Sequence, residues 1–207
     1  FENAFQSEKD IVSALNATEK IIRQNKAFSY WPCQNGEYSD YYPSVGFATL
    51  NPSFIPDMQW IFYYQVIASA NVSLPYIDHI DMPQEKKDFY KGQIYFFKAF
   101  TYLQIIRIWG DCILLKDDVI FTAVAKSHWT EVADYAIDLA KKAISLLPDF
   151  DQMTDYNGNA IKYKSTPSKG AANAVLAHLC AWKAGCKYMA QPDQQNYDEV
   201  DLWKTAE

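Results

Sequence analysis

Residues 91–115, KGQIYFFKAFTYLQIIRIWGDCILL, constrain the fold more than any other segment of the chain. Beyond the first turn, the only charged or amide-type polar residues up to Trp109 are Lys98, Gln104 and Arg107, with Thr101 between them. A helix that is apolar on almost every side is buried between other helices. The Gly110-Asp111 pair predicts where this helix ends. The segment therefore predicts an array of helices packed around it.

Composition agrees with a helical fold and excludes several functions. Of the 207 residues, 49% are hydrophobic and 16% aromatic, whereas glycine occurs only 7 times and strand-like alternation is scarce. The length is sufficient for one core, or for part of a larger domain. The net charge of −6 gives no broad basic surface, so we expect no nucleic acid partner and no direct attraction to an anionic membrane. No apolar run is long enough to span a bilayer.

Cysteine and histidine patterns predict no metal or cofactor. The four cysteines are widely spaced and form no CxxC pair, which indicates free buried thiols rather than a zinc site. His79, His128 and His178 are isolated from one another in the sequence and belong to no HExxH pattern. The segment DYNGN at residues 155–159 resembles the start of a calcium loop, but an ordinary turn at Asn157-Gly158 is the better interpretation.

Punctuating residues divide the chain into six predicted helices. Capping residues and prolines set most of the boundaries, with Ser127 predicted to cap the fourth helix and Thr166-Pro167 to open the fifth. The predicted helices run from Ser7 to Gln24, from about Asp57 to Pro75, from Pro83 to Trp109, from Ser127 to Pro148, from Thr166 to about Met189, and from about Asp198 onward. Between the first two lies a long irregular segment, residues 27–56, with six Pro and Gly residues, and loops of this length are often functional.

The pattern of small residues in the later helices predicts tetratricopeptide-like hairpins. Ala136, Ala140, Ala143 and Pro148 match the second helix of such a repeat, and the fifth helix is rich in small residues. No 34-residue self-similarity accompanies these features. The predicted fold class is all-α, with tetratricopeptide-like helical hairpins and long irregular loops.

Four motifs, in the right order along the chain, resemble the SusD/RagB family of nutrient-binding lipoproteins. That family pairs an aromatic helix ending in Asn with a long helix of the type G-x-x-x-F-x-R-A-x-x-Y-x-x-L and a Gly-x-x-Pro-Leu exit. The chain departs from the pattern at Gln93, Lys98, Ile113 and His178, so we expect a buried Arg–Glu pairing to be altered. The matching segments are Trp60 to Asn71, Gly92 to Leu103 with Gly110 and Leu114, Asp138 to Pro148, and Ser168 to Leu179.

The resemblance implies a binding protein rather than an enzyme. Such proteins lie at the cell outer membrane, surface-exposed and lipid-anchored, and pass oligosaccharides or other nutrients to a TonB-dependent, SusC-like transporter. Family members are much longer, so residues 1–207 are expected to form the N-terminal portion of a single SusD-like domain, truncated at Glu207. Membrane attachment would occur only through a lipid anchor outside this chain.

The breaker-rich segment between the first two helices holds the predicted ligand-binding residues. Sugars are bound by flat aromatic rings together with amide and carboxylate groups, and this chemistry is concentrated after Phe28. In the family this loop often contributes to the binding face. The alternative is that these rings pack the loop onto the helices. The candidate ligand-binding residues are Tyr30, Trp31, Asn35, Tyr38, Asp40, Tyr41 and Tyr42.

Two further functions remain open from the sequence. A helical-repeat scaffold that binds a protein partner would share the same fold. An all-α glycoside hydrolase would need a pair of carboxylates, for which Asp117-Asp118 or Asp149 with Asp151 are available, but nothing in the sequence indicates that either pair acts together. No catalytic residue is therefore predicted.

Overall fold

The computed structural model describes residues 5–24, 60–117, 120, 122–186 and 199–207. In these ranges the chain is helical apart from connectors and two isolated β-bridges, as the sequence predicts. Short 3₁₀ helices follow the second and fourth α-helices, at Leu74–His79 and Phe150–Gln152. The α-helices are α1 Glu8–Gln24, α2 Trp60–Ser73, α3 Gln84–Trp109, α4 Trp129–Leu146, α5 Lys169–Cys186 and α6 Val200–Ala206.

Helix α3 is the central element of the fold. It contributes to a core shared with α2, α4 and α5, and to a second core shared with α1 and the 3₁₀ helix Leu74–His79. Twelve of its 26 residues are buried, among them the polar Lys98 and Thr101. Burial on all sides explains why its sequence has no polar stripe, and the prediction from residues 91–115 is confirmed.

Successive helices run antiparallel. Phe5, just before α1, stacks on Tyr76 at 5.1 Å between ring centroids, whereas Thr18 near the other end of α1 lies 2.7 Å from Ser69 between hydroxyl oxygens. These contacts place α1 antiparallel to α2. The start of α2 meets the end of α3, where Trp60 and Trp109 have centroids 5.6 Å apart. Residues 24 and 60 therefore lie at the same end of the bundle as the C-terminus of α3.

The later helices continue the same up-and-down order. The Tyr102 and Tyr135 rings join α3 and α4 at 5.9 Å between centroids. An ion pair between Lys183 and Asp134 joins α5 to α4. Helix α6 returns along α5, and a Cβ built on Gly185 would lie 3.6 Å from the ring of Trp203. Among the other small residues of α5, Ala172 and Ala184 are buried, whereas Ala174 is exposed.

Two predicted caps are wrong. Ser127 exchanges backbone hydrogen bonds with Cys112, and α4 begins after His128, whose ring nitrogen accepts the N–H of Thr130. Helix α5 begins two residues after Pro167, with the Ser168 hydroxyl accepting the N–H of Ala171 at 3.4 Å. In both places another polar residue lies within two positions of the predicted cap. The sequence therefore predicts the region of the cap correctly but not the capping residue.

The predicted helix ends at glycine and proline are confirmed. Pro83 directly precedes α3, and Gly110 ends it with a φ of 67°, which favours glycine. The neighbouring Asp111 carboxylate accepts the first N–H of α4, from Trp129, at 2.9 Å. Gly158 has a φ of 81° in the turn predicted at Asn157-Gly158. These turns bring consecutive helices into antiparallel contact.

Candidate functional site

The predicted ligand-binding residues lie outside the described part of the chain. Tyr30, Trp31, Asn35, Tyr38, Asp40, Tyr41 and Tyr42 all fall between residues 25 and 59. Their role therefore stays a prediction. What the structure does describe is the part of the bundle from which that segment leaves and to which it returns.

At this end of the bundle, buried and half-buried aromatic side chains surround the first residue of α2. The half-buried Trp60 ring stacks on Tyr64 at 5.8 Å and tilts against Trp109 at 5.6 Å between centroids. The Lys126 ammonium nitrogen lies 5.0 Å from the centre of the Trp60 ring. The T-shaped contact of Tyr63 with Trp109, at 5.2 Å, fixes the cluster to the core. The result is a packed group of four aromatic rings with a cation beside it, and we call these five residues the Trp60 cluster.

Next to this cluster, side chains from three helices hold the backbone of the connector that follows α3. The Tyr64 hydroxyl of α2 donates to the Ile113 carbonyl at 2.7 Å. The Tyr102 hydroxyl of α3 donates to the Leu115 carbonyl at 2.8 Å and accepts the Leu115 N–H at 2.9 Å. Because the phenols hydrogen-bond to main-chain groups, they hold residues 113–115 in place whatever side chains these residues carry.

Lys98 completes this grip from within the core. Its side chain is 0% exposed, and the ammonium donates to the Lys116 carbonyl and to the Tyr135 hydroxyl, the latter at 2.9 Å. The Asp117 carboxylate lies 3.4 Å away and is 72% exposed. Lys98, which stands where the family pattern has arginine, is thus paired with a carbonyl and a phenol. Nothing in the sequence could identify Tyr135, which is 37 residues distant, as the partner.

Burial has the largest effect on the pKa values of these groups. Burial lowers the pKa of Lys98, and the nearby Asp117 carboxylate only partly opposes that effect. Burial likewise raises the pKa values of Tyr64, Tyr102 and Tyr135, so their hydroxyls stay protonated and act as donors in neutral solution. The four side chains Tyr64, Lys98, Tyr102 and Tyr135 therefore act as hydrogen-bonding supports of the connector, and we call them the clasp.

The remaining chemistry-bearing residues are occupied locally. His79 lies 3.0 Å from the Pro75 carbonyl, and His128 lies 2.7 Å from the Thr130 hydroxyl. The Asp155 carboxylate accepts the N–H groups of Asn157 and Asn159 at 2.9 and 2.8 Å, which makes the turn an ordinary Asp-capped one. Across the described ranges, no three His, Cys, Asp or Glu residues come together as a metal site.

The cysteines of the described residues are free thiols. Cys112 and Cys180 are buried, and Cys186 is partly exposed. Burial raises the pKa of Cys112 to about 11, so this thiol is not a reactive nucleophile near neutral pH. Among the helices of the described ranges, none combines the length and apolarity required to cross a membrane.

Within the described ranges, the architecture defines a class: an all-α protein of tetratricopeptide-like helical hairpins. Comparison with known proteins identifies the family. Residues 5–180 match the SusD-like family described as "Starch-binding associating with outer membrane". Because the match spans most of the chain, this protein belongs to the SusD-like family, as the motifs around Gly92 and Asn71 predict.

Individual relatives agree with this assignment. The chain is 29% identical to "SusD-like protein P2" of Formosa agariphila over 124 residues, which is 58% of this chain and 23% of that protein. A "Laminarin binding SusD-like protein" of known structure superposes with a TM-score of 0.68 at 20% identity, covering 90% of this chain and 42% of the other. A SusD superfamily protein from Bacteroides thetaiotaomicron gives a TM-score of 0.68 at 21% identity, covering 96% and 46%.

These levels of identity between structures support the fold and not a shared ligand. The chain spans about a quarter of the curated relative and less than half of the solved structures it matches. These comparisons therefore do not establish the binding activity of the whole protein.

Proposed function

We propose that this chain is part of a cell-surface protein that binds an oligosaccharide without cleaving it and passes it to a TonB-dependent outer-membrane transporter. The observation that carries the proposal is the family match over residues 5–180, since that family is described as starch-binding and associated with the outer membrane. A protein of similar fold is named as a laminarin-binding SusD-like protein. Residues 1–207 would form the N-terminal portion of a single SusD-like domain.

The described structure supports this function in one specific way. The Trp60 cluster lies where the segment holding Trp31 joins the bundle, and it combines flat rings with a cation. Aromatic faces stack on the C–H faces of sugar rings, and neighbouring polar groups fix their hydroxyls. We assign the contacts with ligand to Tyr30, Trp31, Asn35, Tyr38, Asp40, Tyr41 and Tyr42, with the Trp60 cluster as support at the point where their segment rejoins the bundle.

The clasp at Lys98 supports binding rather than catalysis. Its phenols and its ammonium group donate hydrogen bonds to carbonyl groups of the connector, and burial keeps the phenols protonated. A binding protein needs such a rigid scaffold, because ordering a mobile site on binding costs affinity. Handover to a SusC-like transporter and a surface position fixed by a lipid anchor complete the proposal.

The test is calorimetric titration of the protein at its full natural length with a panel of plant, host and microbial oligosaccharides. At least one glycan should bind, and incubation with that glycan should release no new reducing ends. Release of reducing ends that is lost on replacing one carboxylate would establish a hydrolase instead. Co-purification of the TonB-dependent transporter with the protein from solubilised outer membranes tests handover, and recovery of the protein without any transporter would refute that part.

A further inference from the structure

We draw no further inference here: the strongest candidate, the open cavity of about 350 Å³ between α3 and α5 that is lined by Leu103, Arg107, His178 and Trp182, carries none, because it opens beside Cys186, where α5 ends, and nothing in the described part of the chain shows what covers it.

Discussion

The packing of α3 against the end of α4 makes Gly92 a sharp test of the fold. A Cβ added at Gly92 would lie 2.8 and 2.9 Å from two carbons of the buried Leu147 side chain and 3.3 Å from Leu146. Such distances force a shift in a packed core, at a cost of about 1–3 kcal/mol. Replacing glycine by alanine inside a helix gains about 1 kcal/mol by itself. Gly92→Ala should therefore lower the free energy of unfolding by about 1 kcal/mol.

Gly170→Ala is the matched control. Gly170 is also helical, but a new Cβ there would lie 3.8 Å from the Ser168 hydroxyl oxygen, which is an ordinary contact. This variant should be stabilised, so the two alanines shift the thermal midpoint in opposite directions, by about 2–4 °C each. Differential scanning calorimetry measures both. A rise in the midpoint for Gly92→Ala would refute the close approach of α3 and α4.

Two other predictions concern the clasp and its buried phenols. Lys98→Met should lower the free energy of unfolding by only about 1 kcal/mol, because the Lys116 carbonyl still accepts the Tyr135 hydroxyl at 2.8 Å. Lys98→Ala should lower it by about 3 kcal/mol, because it also opens a cavity. Equal losses of the two variants in urea titrations would contradict this. Burial raises the pKa of Tyr63 to about 12, so the stability it contributes is complete below pH 10, its ordinary value, and is lost as the pH rises toward 12. The lowered pKa of Lys98 acts with the opposite sign below pH 10.5 and so does not add to this loss. Ultraviolet absorbance of tyrosinate during alkaline titration should rise in two steps, first for the exposed phenols and then, together with unfolding, for the buried ones. A single step completed before any loss of helical circular dichroism would show that the phenols are not buried.

Local sequence signals predicted the helices well and their caps less well. Gly110 and Pro83 mark ends correctly because their backbone preferences act without help from distant residues. Pro75 predicts an end or a kink of the second helix, with a continued turn to Ile80 as the alternative, and the chain continues as a 3₁₀ helix to His79. Ser127 failed as a cap because it pairs with Cys112, a contact across fifteen positions that no local pattern reveals.

The chemistry of the clasp lay beyond what the sequence could predict. The resemblance marked Lys98 as unusual, but its partners come from the connector after α3 and from α4. Two further phenols, Tyr64 and Tyr102, read as ordinary core aromatics in the sequence, and only the fold shows their hydroxyls directed at carbonyl groups. Tertiary hydrogen bonds of this kind carry no periodic signal. The ligand-binding assignments around Trp31 remain predictions.

Trp31→Ala tests the proposed site most directly. Calorimetric titration of the full-length protein with its glycan should show clearly weaker affinity in this variant, while the thermal midpoint stays nearly unchanged. Tyr163→Ala is the control, because Tyr163 is 79% exposed on a different loop and its removal should leave affinity intact. Equal affinity in Trp31→Ala and the parent protein would contradict the assignment of glycan binding to this segment.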